Sequence, residues 1–286
     1  MVAKKVAKKV SVINMKRGVG KSTLSIHLAR YLSEHEGKKV LLIDLDPQAN
    51  ASIVGIDETV YANHKSDPKK KTIAGLFIEV LKQFGPFSKK ENLAPNINDY
   101  RIRVFESQNQ QGYLDIIPSE LALSSILRGI SLNPYELNRL LIDRVEKQYD
   151  FIIIDCAPTY SVLTTLALNA TKAIVIPMIA DFFGIHGTKQ MIEVLEEHDY
   201  DYGEKIEIVG VVFTLWKKRS NAEQTNYLNQ IIAEWKLWNS AINIFDTKII
   251  DDKKYKVING QQPHQNPPGF DNFVHEFLLR MEDIVS

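Results

Sequence analysis

Residues 16–23 read Lys-Arg-Gly-Val-Gly-Lys-Ser-Thr and follow the apolar run Val10-Ser-Val-Ile13. A strand, a turn carrying glycines and an amphipathic helix, in that order, form the setting of a phosphate-binding loop. Glycines let consecutive backbone N–H groups converge on phosphate oxygens with no Cβ in the way. In such a loop Lys21 supplies a point charge to the β and γ phosphates of ATP, and the Ser22 hydroxyl ligates Mg²⁺. The candidate nucleotide seat is therefore Lys16, Arg17, Gly18, Val19, Gly20, Lys21, Ser22 and Thr23. A helix opening near Lys21 adds its positive N-terminal dipole to that seat. The alternative is a chance Gly-Lys-Ser in an ordinary turn, and two further segments weigh against it.

Phe151-Ile-Ile-Ile-Asp155 is four apolar residues closed by an acid. That is the form of a Walker B strand, whose carboxylate holds the Mg²⁺ shell directly or through water. Val40-Leu-Leu-Ile43 likewise delivers Asp44-Leu-Asp-Pro-Gln-Ala-Asn50 at its C-terminal end. In doubly wound sheets ligands bind at those ends, so three features on three strands suit one mononucleotide site.

On these residues the chain resembles the ParA/MinD group of ATPases, and within it the ParA-type partition ATPases. Lys16–Thr23 is similar to the deviant phosphate loop K-G-G-x-G-K-[ST] of that group. The strict G-x-x-x-x-G-K-[ST] pattern is not met, because Met15 stands at its first glycine. Arg17 takes a position where the group has glycine, and Arg lacks glycine's access to positive φ. Asp44–Asn50 matches the family's D-x-D-P-Q-x-N without departure, and Asp155-Cys-Ala-Pro-Thr159 resembles its D-x-P-P, with Ala157 in place of a proline. Asp181 stands where these ATPases carry an acid past the next strand.

The resemblance implies two catalytic residues. Asp46 would position the attacking water, and Lys16 would reach across an ATP-bound homodimer to the partner's phosphates. The alternative for Lys16 is a solvated loop lysine. Phe213-Thr-Leu-Trp-Lys-Lys-Arg-Ser-Asn221 is similar to a stretch in which an arginine contacts DNA, here Arg219 beside Lys217 and Lys218. A solvated cluster at a strand end is the plainer reading, and Lys253, Lys254 and Lys256 are the next candidates. The family's segment I-P-R-N-x-x-L-x-E-A-P is not recognisable in Ile244–Ile250. The function implied is a cycle between an ATP-bound, nonspecifically DNA-binding dimer and a released ADP form. It would drive plasmid or chromosome partition, or position another cargo, with a ParB-like adaptor protein, in the cytoplasm at the nucleoid.

Two rivals carry distinct signatures. A MinD-like membrane-cycling ATPase ends in a basic amphipathic helix. Residues 269–283 instead hold Asp271, Glu276, Glu282 and Asp283 against Arg280 alone, so no membrane is expected as a partner. A small-molecule ligase on the same fold is disfavoured by the Asp44–Asn50 match.

The remaining composition bounds the class. The chain has 286 residues with Lys+Arg and Asp+Glu both 35, so attraction to nucleic acid must come from local patches. No apolar run approaches transmembrane length, and the basic segment 1–9 lacks the apolar core of a secretory signal. The single cysteine, Cys156, permits no intrachain disulfide and fits a reducing compartment.

Strands alternating with helices predict an α/β fold: one doubly wound, mostly parallel sheet with helices on both faces, in a single domain over 1–286. Predicted strands fall at 40–43, 113–117, 151–154, 173–176 and 208–213, with a weak one at 241–245. The 173–176 strand is expected to stop at Pro177. Predicted helices fall at 23–34, 72–84, 159–170, 187–198, 221–236 and from Phe270 to Met281, and another opens at Asn133-Pro134. Asn63–Lys71 reads as a solvated basic loop and Pro86–Asn98 as an irregular connection.

Overall fold

The structure, a computed structural model, describes residues 6–83, 96–108, 111–126, 133–219, 222–252 and 268–285. The first half of the chain forms β1 (Lys8–Val12), α1 (Lys21–Glu34), β2 (Lys39–Leu45), α2 (Asn50–Gly55), α3 (Glu58–Ser66) and α4 (Ile73–Gln83). It continues through β3 (Ile102–Glu106), β4 (Tyr113–Ile117) and the short helices α5 (Leu123–Ile126) and α6 (Asp143–Val145). The second half forms β5 (Phe151–Cys156), α7 (Val162–Thr171), β6 (Ala173–Met178) and α8 (Phe182–Tyr202). It closes with β7 (Glu207–Trp216), α9 (Ala222–Trp238), β8 (Ile244–Ile250) and α10 (Phe270–Val285).

The strands make one sheet of eight in the order β3-β4-β2-β5-β1-β6-β7-β8. Every pairing is parallel except β3 with β4. Successive strand residues point to opposite faces, and here both faces are covered. Val10, Val12, Val40, Leu42, Ile153 and Val175 pack with α1 and α10. Leu41, Ile43, Ile152, Ile154, Ile174 and Ile176 pack with α4, α7, α8 and α9. Each such side chain contributes about 1.5–3 kcal/mol by leaving water, which is why these strands need no polar face.

Several expectations are corrected. Residues 63–66 are not loop: they end α3, whose first turn is capped by Asp57 accepting from Thr59 N and Val60 N. His64 is buried there, its Nε2 2.9 Å from the Lys71 carbonyl. β6 runs through Pro177 to Met178: the β1 pairing ends at Val175, Pro177 pairs with β7 alone, and its carbonyl accepts from Asn14 Nδ2 at 2.8 Å. α8 begins five residues before the predicted 187 because Asp181 caps it, accepting from Gly184 N at 2.7 Å. α7 starts at Val162 rather than at residue 159. The last strand lies at Ile244–Ile250 rather than 241–245. After Asn133-Pro134 the chain makes a π-helical turn, Asn138–Ile142, before α6. β3, α2 and the start of α3 have no counterpart in the sequence reading. The apolar face of α10 (Phe270, Phe273, Val274, Phe277 and Met281) is wholly in the core. The segment 84–95, the lysines 253, 254 and 256, Asn221 and the first five residues lie outside the described residues.

Candidate functional site

Because the central strands run parallel, the ends of β1, β2, β5, β6 and β7 meet at one edge of the sheet. The register places Asp155 beside Val12 on one side and beside Asp44 on the other. The loop leaving β1 is therefore flanked by the carboxylates that close β5 and β2.

Within that loop Gly18 has φ 75° and Gly20 φ 83°, while Arg17 is not among the residues of positive φ. Glycine's freedom is needed at 18 and 20 but not at 17, so Arg17 stands in its place without backbone strain. Gly20 is the N-cap of α1 with no side-chain cap, leaving the first-turn N–H groups to a ligand. Lys21 is buried, and its Nζ donates to the Lys16 carbonyl at 3.1 Å. Burial lowers its pKa, with Asp155 and then Asp46 working against that. A buried ammonium resting on one carbonyl, between carboxylates, is poised for a polyanion.

Asp155 is completely buried. The Ser25 hydroxyl lies 3.0 Å from its Oδ1, whereas its Oδ2 has no hydrogen-bond partner among the described residues. Burial pushes its pKa up, against the Ser22 and Ser25 hydroxyls and Lys21. A buried acceptor left alone is costly, and a hard divalent cation held by this oxygen and the Ser22 hydroxyl would remove that cost. Asp46 is nearly buried and its Oδ1 accepts from Gln48 N at 2.9 Å. Arg17, Lys21, Ser22, Asp46, Gln48 and Asn50 line a cleft of about 290 Å³. Gly20 and Thr23 border a second cavity of about 90 Å³, walled by Leu24, Leu215, Ile249 and Phe270. Leu215 sits at its edge with φ 49°, strained backbone of the kind found at binding sites.

Lys16 Nζ lies 2.8 Å from both carboxylate oxygens of Asp181 and 5.4 Å from the Phe183 ring centroid. Lys217, Lys218 and Arg219 are exposed just past β7, at the same sheet edge, and Lys218 Nζ meets Asp252 Oδ2 at 2.6 Å. Cys156 is a free, buried thiol whose pKa is pushed up by burial and by Asp155.

Four supporting residues escaped the sequence reading. Asn14 accepts from Lys16 N at 2.8 Å, and Ser25 reaches Asp155 from within α1. Thr214 Oγ1 lies 2.7 Å from the Val19 carbonyl, tying the loop to β7. Ser52 binds Asp44. Asn14 and Thr214 carried a signal, as polar residues set in or beside apolar strands; the two serines carried none.

A parallel sheet with a glycine turn opening onto a helix, a buried lysine in that turn and an acid closing the neighbouring strand define a P-loop nucleoside triphosphatase. A family profile described as an AAA domain matches residues 7–208. The sporulation initiation inhibitor protein Soj of Bacillus subtilis strain 168 is 29% identical over 255 residues, covering 87% of this chain and 82% of Soj. The chromosome partitioning protein ParA of Caulobacter vibrioides strain NA1000 is 29% identical over 220 residues, 75% of this chain and 72% of that protein. Among solved structures, an ATP complex of a Cyanothece McdA variant aligns with a TM-score of 0.70 at 19% identity, covering 98% of this chain and 97% of McdA. The chain belongs to this AAA domain family and, within it, to the ParA-type P-loop ATPases; it is an ATPase.

Proposed function

We propose that this ATPase is a Mg²⁺-dependent partition motor. It forms an ATP-sandwich homodimer, binds DNA without sequence preference, and segregates a plasmid or chromosome with a ParB-like adaptor protein at the nucleoid. The observation that carries the reading is the placement of Lys21, Ser22 and Asp46 on one cleft, with Asp155 reached through Ser25. The Asp44–Asn50 match and the chromosome partitioning relative support the cargo assignment.

The triphosphate of ATP sits on the amides of the glycine loop, and the Lys21 ammonium takes its β and γ oxygens. Ser22 and Asp155 Oδ2 would hold Mg²⁺, which supplies charge neutralisation at the phosphates. Asp46 accepts a hydrogen bond from the attacking water and aligns it with the γ-phosphorus. The base enters the apolar cavity beside Leu24 and Leu215. Lys16 exchanges Asp181 for the γ-phosphate of a second copy, and hydrolysis releases the two. Among the described residues no helix is long and apolar enough to cross a membrane, and the apolar face of α10 is already covered.

The test is Asp46→Ala, followed by light scattering and gel shift with Mg·ATP. Hydrolysis should fall about 100-fold or more, the usual scale for losing a proton-accepting group. The dimer and its DNA complex should persist. Lys16→Ala should bind ATP as a monomer and lose dimer-dependent hydrolysis. Wild-type turnover by Asp46→Ala, or a monomer with ATP and no DNA shift, overturns the reading.

A further inference from the structure

Asp46 lies in a stretch without regular structure between β2 and α2, yet both ends of that stretch are tied to one buried carboxylate. Asp44, fully buried at the end of β2, accepts from Ser52 N and Ser52 Oγ, each at 2.7 Å to Oδ2. Its Oδ1 accepts from Asp46 N at 3.1 Å. Ser52, itself fully buried in α2, accepts in turn from Ser119 N at 2.9 Å, just past the end of β4. The hydroxyl thus spends its proton on Asp44 and a lone pair on a third element.

Between these ties Ala49 holds φ 55°, a conformation that costs a non-glycine residue about 1–2 kcal/mol. Its amide donates to the Asp46 carbonyl at 2.9 Å. The far end of α2 cannot slide, because Gly55 packs so closely that a Cβ there would come 2.4 Å from Ile26 Cδ1 and 2.7 Å from Ile116 Cδ1. A helical serine ordinarily turns its hydroxyl back onto the preceding turn of its own helix. Ser52 instead closes the loop that carries Asp46.

We propose that Ser52 is a positioning residue for ATP hydrolysis: bridging Asp44 to the Ser119 amide, it fixes the loop 46–50 so that the Asp46 carboxylate is held at the cleft. The proposal rests on the role given to Asp46 above, and the two fail separately.

Ser52→Ala removes the bridge without changing the chemical identity of any group lining the cleft. Steady-state kinetics should show kcat lowered about tenfold or more, the scale of a misplaced catalytic group, with KM for ATP within about twofold of wild type. Ser52→Thr, which restores the hydroxyl, should recover most of kcat. Because Ser52 acts through Asp46, the double variant Asp46→Ala/Ser52→Ala should be no slower than Asp46→Ala alone. Thermal melts with and without Mg·ATP show which variants are folded, and Ser52→Cys, close in size but a weak donor, replaces alanine if the latter is not. Wild-type kcat in a folded Ser52→Ala or Ser52→Cys variant, or losses that add in the double variant, overturns this inference. An Asp46→Ala variant with wild-type turnover overturns the reading of Asp46 itself.

Discussion

Asp44 and Asp155 face each other across adjacent strands, both fully buried, and folding raises the pKa of each. For Asp44 burial is the main cause and Asp155 the next; for Asp155 burial outweighs the two serines and Lys21. An acid whose pKa is raised on folding binds more protons folded than unfolded, just above the ordinary carboxylate range. Stability therefore falls as pH climbs through that window, the reverse of a salt-bridged carboxylate. A cation bound there, as proposed above for Mg²⁺, would offset this destabilisation. Asp155→Asn should accordingly raise the melting temperature of the nucleotide-free protein at pH 8 and change it much less at pH 5, where the wild-type carboxyl is already neutral. Calorimetry at the two pH values checks this. A lower melting temperature at pH 8 would mean that Asp155 stabilises the empty fold, and the unpartnered Oδ2 would need another explanation.

At the scale of elements, legibility tracks how much of the stabilisation is local. Val40–Ile43, Phe151–Ile154 and Ala173–Ile176 were readable because a strand covered on both faces must be apolar throughout. The phosphate loop was readable because its demands on residues 18, 20, 21 and 22 are chemical and contiguous. β3 was not, since Ile102-Arg-Val-Phe-Glu106 alternates weakly and carries charge. What holds it is tertiary. Arg101 Nη1 lies 2.7 Å and Arg103 Nε 2.5 Å from the buried carboxylate of Asp115 on β4, and Tyr149 donates to the same group at 2.7 Å. Ser25 and Ser52 were illegible for the same reason: each becomes functional through a partner distant in sequence or through a loop that only the fold closes. Asp115→Ala removes the acceptor from two arginines and a tyrosine. Breaking a buried ion pair costs about 3–5 kcal/mol, and because both arginines keep some water the loss should fall near about 3 kcal/mol. Denaturant melts measure the total, and hydrogen exchange should show protection lost first in β3. Unchanged exchange there would mean that the backbone pairing of β3 with β4 holds the edge without the carboxylate.

Over the whole molecule the charges cancel, 35 against 35, so no general field draws this protein to a polyanion. Parallel topology nonetheless gathers the ATP cleft and the Lys217–Arg219 stretch at one edge of the sheet. The three cations there are not equivalent. Lys218 is met by Asp252 at 2.6 Å, so part of its charge is offset within the fold, whereas Arg219 is exposed past the strand end. One copy offers too small a patch for tight binding. In the ATP-bound dimer proposed above, the patch would be doubled on a common surface, which would make DNA affinity depend on ATP without any new contact. If four phosphates are neutralised by the pair, log affinity should fall with log salt at a slope of about −3.6, with little sequence preference. Arg219→Glu should abolish the ATP-dependent gel shift while light scattering still finds the dimer. Lys218→Ala should weaken binding less, because part of that charge is already offset by Asp252. A gel shift by Arg219→Glu equal to wild type, at matched salt and with the dimer intact, would place the DNA surface on another face of the molecule.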